Sequence, residues 1–252
     1  MIGKNVSGLR PSRLGVPVMV LHVREGYEAR AVSVEAMLGR LGIEFSYVLE
    51  GDIPDLDEAT VSCNFSGAMR RVSGETSCAI KHLLAYRRLL DSGLTGALIL
   101  EDDIALKRKF PAFFAKCMGE AESRGIGDML ISFEDTSMQF VRGSQRCKGM
   151  RVYAAQRDRY AGCYYITAGV ASLILDYVDA HGCHLPIDRF HTFLIKEAGL
   201  PYYWTHPTVA TQGSKNGKFG SSISMRDAHR QLYMNLTYPL KKAYKKLLYR
   251  LR

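Results

Sequence analysis

The chain has 252 residues, of which 47% are hydrophobic and 23% are charged. This composition is typical of a folded protein and excludes a wholly disordered or fibrous chain. Lysine and arginine outnumber the acids by 34 to 25, and the resulting net charge of +9 favours a polyanionic partner or a membrane surface.

The positive charge is concentrated at the carboxyl terminus. The last thirteen residues contain six lysines and arginines and no acid, which leaves +3 for residues 1–239. Because the body of the protein is only mildly basic, a broad nucleic-acid-binding face is not expected.

Cysteine spacing and the amino-terminal segment bear on the cellular compartment. The six cysteines include no C-x-x-C pair and are too sparse for a disulfide-stapled scaffold, so we expect reduced thiols. The apolar stretch at 16–23 is interrupted by Pro17 and His22 and is too short to span a membrane. A cytoplasmic protein without a cleaved signal is the consistent prediction.

Strand and helix patterns alternate along most of the chain. Predicted strands cover 16–23, 43–49, 97–100, 128–133, 163–167 and 202–209; predicted helices cover 28–41, 75–90, a stretch beginning near Pro111, 168–178 and 187–198. Residues 142–159 are polar and poorly periodic, which predicts a surface excursion, and 213–222 is glycine-rich, which predicts a flexible loop. The alternation indicates a three-layer α/β domain that binds ligands beyond the carboxyl ends of its strands.

Three consecutive acids, Glu101, Asp102 and Asp103, follow the apolar run at 97–100. Adjacent anions repel one another, and a divalent cation with oxygen ligands would relieve that cost. The same acids could instead cap the following loop or lie in solvent, so the triplet alone leaves both interpretations open.

The preceding helix carries a polar stripe. Glu75, Cys78, His82 and Tyr86 fall on one face of it, and apolar residues occupy another. His82 could be a core histidine packed beside Tyr86 rather than a functional group. Gly74 begins the helix, where exposed N–H groups could meet phosphate.

The segment from Gly74 to Leu83, followed by Tyr86 and then by L-I-L-E-D-D-I, resembles glycosyltransferase family 25, the lipopolysaccharide and lipooligosaccharide glycosyltransferases. The spacing from G-E-x-x-C-x-x-x-H to L-E-D-D is the specific part. Weaker matches lie near Arg24, near Gly162 and at P-I-D over 186–188, so the resemblance extends over roughly 16–224.

The resemblance implies a GT-A-type, Rossmann-like three-layer sandwich with a mostly parallel central sheet. It also implies a UDP-sugar donor, most often UDP-galactose, and transfer with inversion to a glycolipid. Mn²⁺ or Mg²⁺ held by Glu101 and Asp103 could bridge the diphosphate, while Asp102 could contact ribose or sugar hydroxyls. His206 is the nearest candidate for the late histidine that some members of this fold add to the metal, although an ordinary strand position is the alternative.

We assign further donor-binding residues on the same basis. Gly74, Glu75 and His82 belong to the matching motif, and four cations could reach the donor phosphates, although solvated surface charge is the alternative for each. These cations are Arg24, Arg30, Lys215 and Lys218.

Inversion requires a carboxylate that takes the proton of the acceptor hydroxyl. Asp188 is the first candidate; it could equally be a first-turn acid favoured by the helix dipole. Glu134 and Asp135, at the end of another strand, are the alternatives.

The last thirteen residues predict an amphipathic helix that begins at Pro239. Its apolar residues recur at helical spacing and its cations occupy the other faces, a pattern typical of a helix in an anionic membrane interface. Packing of its leucines on the domain is the alternative. We therefore expect residues 239–252 to attach the enzyme to the inner face of the cytoplasmic membrane.

These observations predict an amino-terminal extension over 1–15, a transferase domain over 16–224 and a basic helix over 225–252. Within the transferase domain, 16–110 would bind the donor and 111–224 the acceptor. Two other classes remain open: an inactive peripheral membrane or nucleic-acid-binding module, and a nucleotidyltransferase. For the second, the sequence shows no glycine-rich, lysine-bearing phosphate loop of the kind that such chemistry often uses, which counts only weakly against it.

Overall fold

The computed structural model describes residues 9–213 and 228–251, with side chains from residue 237 onward in the second range. The elements, in chain order, are β1 (Val18–Leu21), α1 (Glu28–Leu41), β2 (Ser46–Val48), α2 (Glu58–Asn64), α3 (Gly74–Asp91), β3 (Gly96–Glu101), β4 (Ile104–Leu106), α4 (Phe110–Ser123), β5 (Leu130–Ser132), β6 (Val152–Ala154), β7 (Cys163–Thr167), α5 (Ala168–His181), α6 (Ile187–Glu197), β8 (Tyr202–Thr205), β9 (Ala210–Gln212) and α7 (Ala228–Leu251).

Seven strands form the central sheet in the order β2-β1-β3-β7-β5-β8-β6. Strands β2, β1 and β3 are parallel, β7 is antiparallel to both β3 and β5, β8 is parallel to β5, and β6 is antiparallel to β8. All strands of this central sheet except β6 and β7 therefore point the same way. The carboxyl ends of β1, β3, β5 and β8 meet at one edge, where ligands of α/β proteins bind.

The sheet separates two hydrophobic cores. One core packs α2, α3, α5 and α6 against one face of the sheet, and the other packs α1 and α4 against the opposite face. Successive residues of β3 alternate between them, since Ala97 and Ile99 belong to the first and Leu98 and Leu100 to the second. This arrangement confirms the predicted three-layer α/β class with a mostly parallel central sheet.

Local signals account for the helix ends that position the site. Ser73 caps α3, because its Oγ accepts a hydrogen bond from Thr76 N at 3.2 Å. Helix α1 ends at Gly42, whose φ of 63° is the left-handed conformation common after helices. Both helices span the predicted ranges within one residue at each end.

The predicted surface excursion over 142–159 is wrong in its second half. Strand β6 adds to the edge of the central sheet by pairing with β8, and Arg159 is fully buried. The guanidinium of Arg159 lies 4.3 Å from the ring centroid of Trp204 and donates to Thr205 O at 3.0 Å. Aromatic stacking and carbonyl acceptors let a polar segment enter the interior, which composition alone does not reveal.

Besides β6, three short elements were not predicted: α2, β4 and β9. The predicted strand over 202–209 ends at Thr205. Strands β4 and β9 form a separate antiparallel ribbon directly after the acidic triplet. The ribbon brings Gln212 and Gly213 back to the end of β3 from more than a hundred residues away along the chain.

The carboxyl-terminal helix extends on both sides of Pro239. Helix α7 begins at Ala228, and Pro239 lies inside it rather than at its start. An internal proline costs about 3 kcal/mol, because it removes a backbone hydrogen bond and its ring clashes with the preceding turn. Since the helix continues through Pro239, the residues on both sides must offset this cost. No helix among the described residues is both long and apolar enough to cross a membrane.

Candidate functional site

A cavity of about 830 Å³ lies at the carboxyl ends of β1 and β3. Its walls come from these strand ends, the first turns of α3 and α6, and the loop before β7. The acids that line it are Glu25, Asp52, Glu75, Glu101, Asp102, Asp103 and Asp188, and the cations are Arg24, Arg30, Lys81 and Arg189. The cavity thus lies at the edge that the parallel strands predict.

Glu101 ends β3 and lines this cavity. Its Oε2 accepts a hydrogen bond from Gln212 Nε2 at 2.7 Å, and its Oε1 lies 3.6 Å from His82 Nε2. Burial, together with the charges of Asp103 and Asp102, raises the pKa of Glu101 to about 8. A bound cation would relieve this cost, so the position fits the predicted metal ligand.

Asp102 is held by partners from the first βα unit. His22 Nδ1 lies 2.8 Å from its Oδ2, and Arg30 Nη1 donates to its Oδ1 at 3.0 Å. Arg30 itself is buried and stacks over the Tyr27 ring at 4.6 Å. Both carboxylate oxygens therefore have a protein partner, and Asp102 joins β3 to α1 at the cavity wall.

Asp103 is buried and also lines the cavity. Its carbonyl oxygen accepts a hydrogen bond from Gly213 N at 2.7 Å, which fixes the backbone between β3 and β4. The structure therefore brings together the two acids of the predicted acid-x-acid pair, Glu101 and Asp103, in one cavity.

A buried ion cluster forms the opposite wall. Lys81, which is 3% exposed, places its Nζ 2.8 Å from Asp52 Oδ1 and donates to Leu49 O and Glu50 O. Arg24 Nε donates to Asp52 Oδ2 at 2.9 Å. Although burial alone would raise it, hydrogen bonds from Lys81 and Arg24 hold the pKa of Asp52 below its usual range.

This cluster depends on close packing between α3 and the chain after β2. Gly51 has a φ of 86°, and a Cβ there would lie 2.6 Å from Ile80 Cγ2. Ser77 Oγ donates to Gly51 O at 2.8 Å. Glycine is therefore required at this position for both conformation and space.

The polar stripe of α3 faces the cavity and the sheet as the sequence indicates. Gly74, Glu75 and Cys78 line the cavity, whereas His82 lies behind them, fully buried. His82 Nδ1 is 2.6 Å from the hydroxyl of Tyr164 on β7. Burial lowers the pKa of His82 well below its ordinary value, so the imidazole is neutral.

Asp188 lies in the first turn of α6 and lines the same cavity as the acidic triplet. Burial raises its pKa, and the charge of Asp158 adds to this effect. A carboxylate with a raised pKa is a stronger base than an ordinary one, which suits general-base catalysis near neutral pH.

Glu134 and Asp135 do not line the cavity. Glu134 is fully buried; its Oε1 accepts from Gly162 N at 2.7 Å, and burial raises its pKa well above the ordinary value. Asp135 is also buried, and it forms an ion pair with Lys242 of α7. The structure thus engages both alternative bases in interior contacts.

Two of the remaining sequence candidates, Lys215 and Lys218, lie outside the described residues, so their role stays a prediction. His206 follows β8 and lines a separate pocket with Lys107 and Arg146. Its predicted role as a third metal ligand is therefore not supported by its position.

The sequence analysis did not identify four polar residues of the cavity: His22, Asp52, Lys81 and Gln212. Lys81 is one position before His82, and from the sequence it resembled an ordinary solvent-exposed lysine of a helix. Gln212 reaches Glu101 only through the β4–β9 ribbon, and no local sequence signal marks it. Finding Lys81 or Gln212 would have required knowledge of which distant segments of the chain pack together.

The fold and the cavity define an α/β enzyme whose carboxylates gather at the carboxyl end of a parallel strand. A family model, glycosyltransferase family 25 (LPS biosynthesis protein), matches residues 64–191, half of the chain. The protein belongs to glycosyltransferase family 25 and is a glycosyltransferase. The matched range contains Gly74, the acidic triplet and Asp188.

Solved structures show weaker likenesses. A glycosyltransferase involved in glycosylation of the major capsid of PBCV-1 is 10% identical, with a TM-score of 0.41 over 87% of this chain and 99% of that chain. A putative glucose-1-phosphate thymidylyltransferase from Bacillus anthracis is 14% identical, with a TM-score of 0.36 over 77% and 70% of the two chains. The inositol-1-phosphate CTP transferase from T. maritima is 11% identical, with a TM-score of 0.34 over 88% and 77%. No curated protein matches the sequence.

Proposed function

We propose that this glycosyltransferase moves a sugar, galactose first among the candidates, from a UDP-sugar to a lipopolysaccharide- or lipooligosaccharide-type glycolipid, with inversion. The observation that supports it best is the shared cavity of Glu101, Asp103 and Asp188. Two acids suited to a cation and one acid suited to a base then face the same space.

Glu101 and Asp103 are the residues that would hold Mn²⁺ or Mg²⁺. Carboxylate oxygens are the ligands these hard cations prefer, and burial together with the charges of Asp103 and Asp102 raises the pKa of Glu101. When bound, the cation would neutralise charge that develops on the departing diphosphate. The remaining steps belong to the chain's own side chains.

The donor phosphates would lie near the first turn of α3. Backbone N–H groups at a helix amino terminus favour anions, and Gly74 lets a phosphate approach without hindrance from a side chain. Arg24, Arg30 and Lys81 line the same cavity. They already have acidic partners, so we expect them to shape the wall and to hold part of the donor rather than to offset its full charge.

Asp188 would act as the base. In this proposal the acceptor hydroxyl attacks the anomeric carbon from the side opposite the diphosphate, and the carboxylate of Asp188 takes the hydroxyl proton as the new bond forms. The donor part would then comprise 16–110 and the acceptor part 111–224. Asp188 belongs to the acceptor part, and the acidic triplet to the donor part.

Helix α7 would bring the enzyme to its glycolipid. Four large hydrophobic residues of this helix are exposed: Leu240 at 73%, Tyr244 at 61%, Leu247 at 54% and Leu251 at 77%. They recur at the spacing of one helix face.

The opposite side of α7 contacts the domain. Tyr238 is buried, Lys242 pairs with Asp135, and Tyr249 packs edge to face against Phe140 at 5.8 Å. Leu240 and Leu251 thus leave most of their surface in solvent. Lys241 and Lys245 are exposed beside the apolar stripe, and this combination favours an anionic bilayer as the surface that covers it.

Calorimetric titration with UDP, with and without Mn²⁺, tests the proposed site. We expect Mn²⁺-dependent binding that Asp103→Ala abolishes and that Asp91→Ala, an exposed acid at the end of α3, preserves. Binding that ignores Mn²⁺, or that survives in Asp103→Ala, would remove the metal assignment. Transfer assays with UDP-sugars would then identify the donor.

A further inference from the structure

A chain of buried hydrogen bonds leads through the interior from Asp158 to His82. Asp158 Oδ2 is 2.7 Å from His191 Nδ1, and His191 Nε2 is 2.9 Å from the Tyr86 hydroxyl. The Tyr86 and Tyr164 hydroxyls are 2.7 Å apart, and Tyr164 is 2.6 Å from His82 Nδ1. The histidine and tyrosine side chains of this hydrogen-bond chain are at most 1% exposed.

The carboxylate end of this hydrogen-bond chain only accepts, so His191 Nδ1 donates to Asp158. A metal ion at His82 Nε2 requires the His82 tautomer that is protonated on Nδ1. In that arrangement His82 Nδ1 donates to Tyr164, Tyr164 donates to Tyr86, and Tyr86 donates to His191 Nε2.

Two other ligand atoms lie close to His82 Nε2. His82 Nε2 is 3.6 Å from Glu101 Oε1, and Cys78 Sγ is 3.8 Å from the same oxygen. All three atoms lie within 4.8 Å of one another. Within the described part of the chain, His82 Nε2 is buried and has no hydrogen-bond partner.

We propose that Cys78, His82 and Glu101 form a Zn²⁺ site. Thiolate, imidazole and carboxylate are the ligand set of this borderline-soft cation, in contrast to the oxygen sets of Mg²⁺ and Mn²⁺. Tetrahedral Zn²⁺ needs N···O and S···O separations of about 3.4 and 3.6 Å. The distances in the structure, 3.6 and 3.8 Å, exceed them by about 0.2 Å.

The surroundings suit such a site. Ligand histidines commonly donate their other N–H to a fixed acceptor, the role that Tyr164 performs for His82. Cys78 and Glu101 line the cavity, so a fourth ligand could enter from it. Binding would release the thiol proton of Cys78 to solvent.

Titration of the chelator-treated protein with Co²⁺, a spectroscopic substitute for Zn²⁺, tests the proposal. We expect one equivalent to produce sulfur-to-cobalt charge-transfer absorption, and one equivalent of Zn²⁺ to displace it. Cys78→Ala should lose the absorption. Cys63→Ala, which removes an exposed thiol on α2, should retain it.

Tyr164→Phe gives a second test that keeps all three ligands. Loss of the hydroxyl that fixes the His82 tautomer should weaken Zn²⁺ binding about 10- to 100-fold. Absence of the cobalt–sulfur absorption in the wild-type protein, or its persistence in Cys78→Ala, would overturn the site. An unchanged Zn²⁺ affinity in Tyr164→Phe would overturn the role of the buried hydrogen-bond chain.

These measurements involve no nucleotide and no sugar. The Zn²⁺ site could therefore be refuted while Mn²⁺-dependent UDP binding is found, or the reverse. Glu101 belongs to both proposed sites, so the variants that separate them change the other ligands. Asp103→Ala should abolish UDP binding and preserve the cobalt–sulfur absorption, and Cys78→Ala should do the reverse.

Discussion

Lys242 of α7 forms an ion pair with Asp135, three residues beyond the end of β5. The Asp135 carboxylate also accepts hydrogen bonds from Thr208 Oγ1 at 2.8 Å and from Thr211 Oγ1 at 2.6 Å. Lys242 therefore attaches the terminal helix to the domain, whereas Lys245 is exposed.

Replacing Lys242 by methionine should destabilise the protein, because Asp135 would then keep its burial and lose its closest cation. Removal of one partner of a buried pair costs about 3 kcal/mol. Urea unfolding at pH 7 measures the loss, and hydrogen exchange should show faster opening of α7. Arg71→Ala, which breaks the exposed Arg71–Glu75 pair, should cost less than about 1 kcal/mol.

The Lys242 effect should depend on pH. Although burial opposes ionisation, Lys242 and the two threonines hold the pKa of Asp135 below its usual range. The pair's contribution is then complete above the unfolded pKa of about 3.9 and declines as pH falls through the folded value. A difference between wild type and Lys242→Met that stays constant down to pH 3 would contradict the ion pair.

The exposed stripe of α7 should control membrane binding. We expect Leu247→Glu combined with Leu251→Glu to reduce sedimentation with anionic vesicles about 100-fold, since each buried leucine contributes about 1.5 kcal/mol or more. Val32→Glu, on the exposed face of α1, is the matched control. Equal sedimentation of all three proteins would exclude α7 as the attachment surface.

Asp188→Asn should separate binding from turnover. The amide preserves size and hydrogen bonding and cannot take a proton, so we expect unchanged UDP affinity and turnover reduced about 10²- to 10⁴-fold. Asp176→Asn, on the exposed side of α5, should behave as wild type. Retained turnover in Asp188→Asn would exclude it as the base.

Glu101 should give the metal-free protein a characteristic stability profile. Its folded pKa of about 8 is above that of the unfolded chain, so the folded state binds more protons between about pH 4.3 and 8. Stability in chelator should therefore decline as pH rises through this interval. Thermal unfolding at pH 5, 6.5 and 8 should show a smaller decline in Glu101→Gln, and parallel curves would contradict the raised pKa.

Strong local patterns were sufficient for much of the fold. Apolar runs at β1 and β3, the Ser73 cap and Gly42 each act within a few residues, and the helices and strands they predict are present. Strand β6 and Arg159 could not be predicted in this way. Their burial depends on contacts with Trp204 and with backbone carbonyls that are distant in the sequence. Hydrophobic periodicity carries no information about such contacts.

The residues of the site likewise divide into those that the sequence could predict and those that it could not. Glu101, Asp103 and Asp188 could be proposed from strand ends and from the family motif, and the cavity contains all three. Glu134 was an equally reasonable strand-end acid, yet its side chain turns inward to the Gly162 amide. The direction of a side chain at a strand end depends on its tertiary partner, so residue type and spacing do not distinguish the two cases.

The β4–β9 ribbon bears on how the chain can be divided experimentally. Family 25 is matched over 64–191, but a fragment with those limits would lack β1, β2, β8 and β9. It would lose His22 and Arg30 from one side of the acids and Gln212 from the other. An excised catalytic unit must therefore retain at least residues 16–213, and a boundary drawn from sequence similarity would yield a piece with its central sheet cut on both sides.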